Sequence, residues 1–269
     1  MNWILMIVAH CEAYGLHLRI ELTGPFYADT PGEDWFAHFY DLRETLRLPV
    51  AAERHVCRIG DLSQLGLPAD YARDMTLERA HALWNRTFSL RPEIDAYVES
   101  YVARHFAGRE VLGIHFRGTD KTTEAPRVCW SSFARTLEET LSARPSLNAL
   151  FVASDEPAFI EYITETFPGM LVMAHEDRVR SRDGHALHVR PAPGMNRDKA
   201  RDALVNALLL SRCDALVRTA SFLSGWASVF NPALPVTMLN RPYDEKLWFP
   251  DREVVKRALN RQMQDFVPD

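Results

Sequence analysis

The sequence predicts an α/β protein whose C-terminal part is a doubly wound parallel sheet. From residue 110 onward, short apolar runs rich in Val, Ile and Leu alternate with stretches of helical periodicity, which is the pattern of a parallel sheet with helices on its faces. Charged and hydroxyl side chains follow directly after three of these runs. In addition, 47% of the 269 residues are hydrophobic, which is enough for a large core.

The C-terminal elements follow one another at short intervals. Pro157 marks the start of one helix, because proline is favoured in the first helical turn, and Asp198 is a candidate N-cap of another. The pattern predicts strands over residues 111–116, 149–153, 170–174, 215–218 and 235–239, and helices over residues 131–143, 158–167, 198–212, 222–230 and 252–264.

The N-terminal part has a different sequence pattern, in which the apolar residues recur mainly at helical spacing. It predicts helices over residues 2–14, 70–88 and 92–106, and strands over residues 16–22 and 55–59. Gly15 is expected to end the first helix. Because α/β domains usually begin with a strand, we expect that the first strand of this part is missing. We place a boundary at Gly108-Arg109, which divides the chain into residues 1–108 and 109–269.

Composition argues against several classes of protein. The net charge of −5 and the lack of any basic tail argue against nucleic-acid binding. The four cysteines (Cys11, Cys57, Cys129 and Cys213) form no C-x-x-C pair, so we expect free, buried thiols in a reducing compartment. The apolar residues 3–9 are too few to span a bilayer and lack the features of a signal peptide. The sequence therefore predicts a soluble, cytoplasmic protein, with peripheral membrane contact left open.

Three predicted strand ends carry polar groups that could bind a ligand. They are residues 117–121, which include Arg117 and Lys121, residues 154–156, and residues 218–221. In a parallel sheet these ends lie at one edge, where ligands bind. The two cations suit a phosphate or a diphosphate. The alternative is that residues 117–121 are only a charged turn in solvent.

The other candidates also have structural interpretations. Thr219 and Ser221 lie at a helix start, where backbone N–H groups favour an anion, but Ser221 can equally serve as an N-cap. Asp155 and Glu156 can accept hydrogen bonds from sugar hydroxyls, or simply begin the next helix. His115 is either a ligand contact or a satisfied buried histidine.

The sequence contains none of the common cofactor, metal or serine-hydrolase motifs. There is no G-x-G-x-x-G, no P-loop, no H-E-x-x-H, no G-x-S-x-G and no D-x-D pair. One loop gathers possible metal ligands at irregular spacing, which favours a solvated loop over a metal site. These residues are His175, Glu176, Asp177, His185 and His188.

A resemblance to a known family begins at residues 113–121, Gly-Ile-His-Phe-Arg-Gly-Thr-Asp-Lys, with Glu124-Ala125 close behind. This stretch resembles the His-x-Arg-x-Thr-Asp-Lys motif of α1,6-fucosyltransferases, a group that includes rhizobial nodulation fucosyltransferases and is distantly related to protein O-fucosyltransferases. The likeness continues through residues 152–157, Asn196-Arg197 and residues 213–221. It covers about residues 110–232, and its first motif is the specific one.

The resemblance implies a two-domain glycosyltransferase of the GT-B fold. It implies transfer of fucose from GDP-fucose to a glycan or another hydroxyl acceptor, with inversion and without a cofactor or a metal. Residues 109–269 would form the Rossmann-like donor domain with a C-terminal helix, and residues 1–108 the acceptor-side domain. The catalytic residues would be Arg117, which grips the diphosphate, Lys121, and Glu124 as general base. The implied donor-binding residues are His115, Arg117, Asp120, Asp155, Glu156, Arg197, Thr219 and Ser221.

The chain departs from the family pattern in three places. Gly118 stands where the family has a second arginine, Asn206 stands where it has an acidic residue, and the N-terminal Gly-rich strand turn is absent. Either the chain starts late relative to its relatives, or its acceptor side is reduced. Two alternatives therefore stay open, namely a glycosyltransferase for another nucleotide sugar and a nucleotide-sugar-binding or glycan-binding protein without turnover.

Overall fold

The strands among the described residues form one large and one small sheet. A computed structural model describes residues 1–43, 74–118, 124–176, 192, 194–243 and 247–264. Within these residues the strands are β1 (Tyr40–Leu42), β2 (Phe88–Leu90), β3 (Glu110–Phe116), β4 (Leu147–Ser154), β5 (Leu171–Ala174), β6 (Ala215–Arg218) and β7 (Val236–Met238). β1 and β2 pair antiparallel, and the others form a five-stranded parallel sheet in the order β5-β4-β3-β6-β7. The predicted strands of the C-terminal part and its doubly wound parallel sheet are thereby confirmed.

The order of the large sheet contains one reversal. The chain builds outward from β3 to β4 and β5, and then crosses back to add β6 and β7 on the other side of β3. Ligands in open α/β sheets bind in the crevice at the carboxyl ends of the strands where the order reverses. The carboxyl ends of β3 and β6 are therefore the expected place for a ligand site.

Helices cover both faces of this sheet. They are α1 (Asn2–Tyr14), α2 (Leu77–Thr87), α3 (Pro92–His105), α4 (Trp130–Ala143), α5 (Pro157–Thr166), α6 (Asn196–Ser211), α7 (Phe222–Phe230) and α8 (Asp251–Gln264). α1 ends as predicted at Gly15, which has a left-handed backbone with φ 62° that glycine adopts without strain. Pro157 is the first residue of α5, as predicted.

Three predictions about the elements are wrong or incomplete. The predicted helix over residues 70–88 begins only at Leu77, because Thr76 caps it by accepting the Arg79 N–H at 3.2 Å. Asp198 is not the N-cap of α6, since that helix begins earlier and Met195 holds the N-cap position. β1 and β2 lie in a region where the periodicity predicted little but helix. Residues 70–73 and the predicted strand over residues 55–59 lie outside the described residues.

The predicted strand over residues 16–22 is also wrong. The alternation of polar and apolar residues suits a strand, but a strand needs a partner for its backbone. At Leu22 the backbone is instead tied to a loop, because its N–H donates to Asp34 Oδ1 at 3.0 Å and its carbonyl accepts from the Trp35 N–H at 3.0 Å.

An apolar core lies on each face of the large sheet. The smaller core lies under α4 and α5, where the rings of Phe116 and Phe159 stack at 4.2 Å. The larger core joins residues from both halves of the chain, as the rings of Trp84 in α2 and Trp226 in α7 show with centroids 4.7 Å apart. Most of the N-terminal aromatic residues, including Phe36, Tyr40 and Phe88, lie in this core. The division at residue 108 remains a prediction.

The cysteines differ in exposure. Cys213 is buried and Cys11 partly so, but Cys129 is exposed, so the prediction of buried thiols is wrong there. Cys129 holds the N-cap position of α4 at the protein surface. In the described parts of the chain, no helix has the length and apolar character needed to cross a membrane.

Candidate functional site

The ends of β3 and β6 are held together by two hydrogen bonds. The backbone N–H of Arg117 donates to Thr219 Oγ1 at 3.0 Å, and the N–H of Thr219 donates to the carbonyl of His115 at 3.0 Å. Thr219 therefore fixes where the backbone of Arg117 leaves the sheet. Two of the three predicted turns thus meet at the reversal of strand order.

The turn after β4 joins them from the other side. The N–H of Gly118 donates to Asp155 Oδ1 at 3.4 Å, so the Asp155 carboxylate lies beside the turn after β3. Glu156 is in an ion pair with Arg127, whose Nη2 is 3.3 Å from its Oε1. Burial raises the pKa of Glu156, Arg127 opposes this shift, and Asp155 adds to it. All three predicted strand ends therefore meet at one edge.

Gly118 is the residue that lets these two turns approach. A Cβ atom at this position would lie 2.0 Å from Glu156 Oε1 and 2.6 Å from the ring of Phe116. Both distances are far below van der Waals contact. Any side chain at position 118, including the arginine of the family pattern, therefore conflicts with the present positions of Glu156 and Phe116.

Arg218 is a buried cation under the turn after β6. The residue is fully buried, and its guanidinium forms an ion pair with Asp251 in the first turn of α8. The Nη1 of Arg218 also donates to the carbonyls of Thr219 and Ser221, both at 3.4 Å. A fixed positive charge and a hydrogen-bonded backbone thus hold this turn in shape.

Several buried polar atoms at these strand ends have no hydrogen-bond partner among the described residues. They are His115 Nδ1, Ser221 Oγ and Arg218 Nε. Buried polar atoms in native proteins are nearly always paired, and a polar ligand at this edge would supply partners for these three. Ser221 occupies the N-cap position of α7, yet its side chain makes no capping bond.

His115 is neutral in this environment. Burial, together with the charges of Arg218 and Arg117, lowers its pKa to about 3. A neutral imidazole has one donor nitrogen and one acceptor nitrogen, so at neutral pH His115 can take part in hydrogen bonds without adding charge.

The segment after β7 closes one side of the site. Asn240 accepts the Ala220 N–H through its Oδ1 at 2.7 Å and donates from its Nδ2 to the Pro126 carbonyl at 2.8 Å. The Tyr243 N–H donates to the Glu124 carbonyl at 2.9 Å. These bonds tie Glu124 to the turn after β6.

The start of α6 is bound to the N-terminal part of the chain. The Asp29 carboxylate accepts the N–H of Asn196 at 2.8 Å and that of Arg197 at 3.4 Å. The Arg197 guanidinium pairs with Glu33. His38, the Thr30 N–H and Arg197 lower the pKa of Glu33 to about 2. Arg197 therefore has an acidic partner within the chain, and its donor role remains a prediction.

Some predicted residues cannot be placed. Asp120 and Lys121 lie outside the described residues, as do Asp177, His185 and His188 of the histidine-containing loop. In the described parts of the chain, no group of His, Cys, Asp and Glu side chains has the arrangement of a metal site.

Sequence reasoning missed Asp29, Asn240 and Asp251, which lie far along the chain from the residues they hold. Arg218 gave a usable signal, because a charge at the end of the apolar run Ala-Leu-Val must find a partner if it is buried. Its acidic partner could not be identified from the sequence alone.

A cavity of about 380 Å³ lies elsewhere, at the amino end of β7. It is lined by residues of α2, α8 and the loop before β7, including Leu77, Leu234 and Arg257. Its lining contains none of the predicted site residues, so the polar edge formed by β3, β4 and β6 remains the candidate site.

A family model of nodulation protein Z (NodZ) matches residues 71–255, which is about two thirds of the chain. This chain belongs to the nodulation protein Z family. The match includes all three strand-end turns and confirms the resemblance seen in the sequence.

Two members of the nodulation protein Z family show the extent of the similarity. The chain is 28% identical over 171 residues to nodulation protein Z of Bradyrhizobium diazoefficiens, covering 58% of this chain and 44% of that protein. It is 31% identical over 145 residues to nodulation protein Z of Azorhizobium caulinodans, covering 49% of this chain and 42% of that protein. The matched part thus spans less than half the length of these relatives.

Solved structures of nodulation protein Z extend the likeness to the fold. The crystal structure of NodZ α1,6-fucosyltransferase soaked with GDP-fucose has a TM-score of 0.54 at 16% identity, over 85% of this chain and 87% of that chain. The crystal structure of fucosyltransferase NodZ from Bradyrhizobium has a TM-score of 0.54 at 16% identity, over 86% of this chain and 88% of that chain. These likenesses confirm the predicted α/β, GT-B-like fold.

Proposed function

We propose that the protein is a glycosyltransferase that transfers fucose from GDP-fucose to a hydroxyl of a glycan or another acceptor. The observation that carries this proposal is the convergence of Arg117, Thr219 and Asp155 at the reversal of strand order, in a chain of the nodulation protein Z family. A related structure named as an α1,6-fucosyltransferase was soaked with GDP-fucose. The same donor is the natural expectation for this site.

The proposed reaction is a single displacement. Glu124 takes the proton of the acceptor hydroxyl, and the hydroxyl oxygen attacks the anomeric carbon of fucose from the face opposite the diphosphate. The bond from the anomeric carbon to the diphosphate oxygen breaks, and its electron pair leaves with GDP. The configuration at that carbon is therefore inverted.

Arg117 stabilises the negative charge that develops on the departing diphosphate. Ser221 and the backbone N–H groups at the start of α7 offer further donors to an anion. We propose that these groups, with Lys121, neutralise the diphosphate without a metal. His115, Asp120, Asp155, Glu156, Arg197 and Thr219 remain proposed donor contacts.

We propose that the two parts of the chain bind different substrates. Residues 109–269 bind the donor, residues 1–108 form the acceptor side, and the reaction takes place in the cytoplasm. The structure supports the donor part of this proposal most directly, because the strand-end turns all come from the C-terminal residues.

The test is calorimetric titration of the purified protein with GDP, GDP-fucose, GDP-mannose and UDP-glucose in buffer without metal. We expect selective binding of GDP and GDP-fucose. Because one charge-assisted contact contributes about 1.5–3 kcal/mol, Arg117→Ala should weaken binding by about ten- to hundredfold or more. Arg135→Ala is the control, since Arg135 is exposed on α4. Unchanged affinity in Arg117→Ala would contradict the proposal.

A second candidate is a nucleotide-sugar-binding protein without turnover. The observation that favours it is Gly118, where the family pattern has an arginine and where Glu156 now fills the space. An assay of GDP release from GDP-fucose, with and without glycan acceptors, separates the two. Binding of GDP-fucose without any release of GDP would favour the second candidate.

A further inference from the structure

The first turn of α6 carries a lysine that the proposed reaction does not yet use. Lys199 is only 5% exposed, which is rare for lysine. It shares one face of α6 with Asn196, Asp202 and Asn206, which follow one another at intervals of three or four residues and are each at most 6% exposed. A helix with a buried polar face must turn that face toward other polar groups.

The topology places this face close to the site. α6 follows β5, so it begins at the carboxyl edge of the sheet, the edge at which Arg117 leaves β3. A Cβ on Gly113 would lie 3.1 Å from Cys213 Sγ, directly after α6. Because alternate residues of a strand share a face, Gly113, His115 and Arg117 all point toward the layer that contains α6.

Tyr27 lies beside Lys199. Lys199 Nζ lies 5.3 Å from the centre of the Tyr27 ring, and that ring packs against Trp35 with centroids 5.1 Å apart. Burial raises the pKa of the Tyr27 hydroxyl, and the nearby positive charge of Arg117 opposes this shift. Tyr27 therefore lies within the electrostatic reach of Arg117 and in contact distance of Lys199.

The position of Lys199 is fixed from two sides. Asn196, one turn before it, donates from Nδ2 to the Ala28 carbonyl at 3.1 Å, and Asp29 accepts the backbone N–H groups at the start of α6. Burial lowers the pKa of Lys199, and the Asp29 carboxylate opposes this shift. The side chain is thus held at the carboxyl edge of the sheet by the N-terminal segment around Tyr27.

A diphosphate carries more than one negative charge, which a partly buried crevice leaves poorly solvated. Arg117 and Lys121, the two proposed catalytic cations, both come from the turn after β3. We propose that Lys199 supplies a further cation from the layer that contains α6 and binds the diphosphate of the nucleotide sugar together with Arg117; this proposal rests on the donor site proposed above.

The competing explanation is that Lys199 only neutralises Asp29 at the start of α6. In that case its removal would lower the stability of the fold and leave nucleotide affinity unchanged. The two explanations therefore differ in a quantity that can be measured, namely the dependence of affinity on the number of phosphates.

The experiment is calorimetric titration of the full chain with GDP and with GMP. Lys199→Gln removes the charge, Lys199→Arg retains it, and Lys256→Gln removes a charge of the same sign from a side chain that is 62% exposed on α8. We expect Lys199→Gln to weaken GDP binding by about ten- to hundredfold and to reduce the ratio of GDP to GMP affinity. Lys199→Arg should bind GDP closer to the wild-type affinity, and Lys256→Gln should match the wild type.

Each outcome decides a separate point. If the wild-type chain binds no GDP, the proposed donor site and the role of Lys199 fail together. If the wild type binds GDP and Lys199→Gln binds it equally well, only the role of Lys199 fails. Should Lys199→Gln not fold, NMR of the ε-methylene groups of wild-type protein labelled with ¹³C-lysine gives the answer, with the signal of Lys199 assigned from its loss in Lys199→Arg. Saturating GDP must then shift the signal of Lys199 and not that of Lys256, and an unshifted Lys199 signal overturns the proposal.

Discussion

Replacing Gly118 by alanine tests whether the turns after β3 and β4 pack as described. The new Cβ would lie 2.0 Å from Glu156 Oε1, 2.7 Å from Glu156 Cδ and 2.6 Å from Phe116 Cε1. Non-bonded carbon atoms prefer separations of about 3.5–4.0 Å. The alanine variant can therefore fold only if both neighbours move or the backbone shifts.

The two neighbours differ in how easily they can move. Glu156 can rotate away at the cost of its ion pair with Arg127, whose side chain is 52% exposed, and such a pair is worth about 1 kcal/mol or less. Phe116 has no free space, because its ring stacks on Phe159 at 4.2 Å and lies 5.8 Å from Phe133. Most of the cost should therefore come from Phe116.

We expect Gly118→Ala to lower the free energy of unfolding by about 1–3 kcal/mol, the usual cost of overpacking a core. Urea denaturation measures this change. Gly169→Ala is the matched control, because a Cβ there meets no atom within 4 Å. A double variant with Glu156→Ala should recover only part of the loss, since the contact with Phe116 remains. Equal unfolding free energies for Gly118→Ala and Gly169→Ala would refute the described packing.

Three further perturbations probe the charged groups around the site. Arg218→Met should lower the free energy of unfolding by about 3–5 kcal/mol, because it leaves the Asp251 carboxylate without its buried partner. Urea denaturation measures this change, and a loss below about 1 kcal/mol would mean that the pair is not buried as described. His115 has a pKa of about 3 in the folded protein and about 6.5 in the unfolded chain. Between these two pH values only the unfolded chain binds the proton. The free energy of unfolding should therefore fall as the pH drops from about 6.5 toward 3, by at most about 1.4 kcal/mol per pH unit. His115→Gln should remove that part of the pH dependence between pH 7 and pH 5, and an identical profile in both proteins would contradict the low pKa. Asp29→Ala should lower the free energy of unfolding by about 0.5–2 kcal/mol, because it removes the acceptor for the backbone N–H groups at the start of α6. Hydrogen exchange of the Arg197 amide should also become faster. Unchanged exchange would show that the contact does not protect the helix start.

The sequence was most informative where the signal is local. The apolar runs of β3, β4 and β6 end in polar residues, and the order of strands and helices places those ends at one edge, so Arg117, Asp155 and Thr219 could be predicted to meet. The reversal of strand order between β3 and β6 could not be predicted, because the sequence does not show which strands are neighbours in the sheet.

The errors have physical causes that the sequence could not reveal. Residues 16–22 alternate as a strand should, but no strand among the described residues pairs with them. β1 and β2 are only three residues long, too short to leave a period in the sequence. Asp29, Asn240 and Asp251 act across 167, 20 and 33 residues of chain, and no local pattern identifies such partners.

The core shared by the two halves of the chain restricts how the proposed acceptor side could be engineered. Trp226 lies in α7, a few residues after the turn that follows β6. It packs against Trp84 and donates from its indole N–H to Asn2 Oδ1 at 2.6 Å. Asn2 in turn donates to the carbonyl of Phe249 at 2.7 Å, directly before α8. An N-terminal half taken from a relative would bring its own version of this junction and shift α7 with it. Chimeras designed to change the acceptor should therefore keep the residues around Trp84 and Asn2 from this chain. They should vary the exposed polar positions of the loop over residues 16–22 instead, which are His17, Arg19 and Glu21.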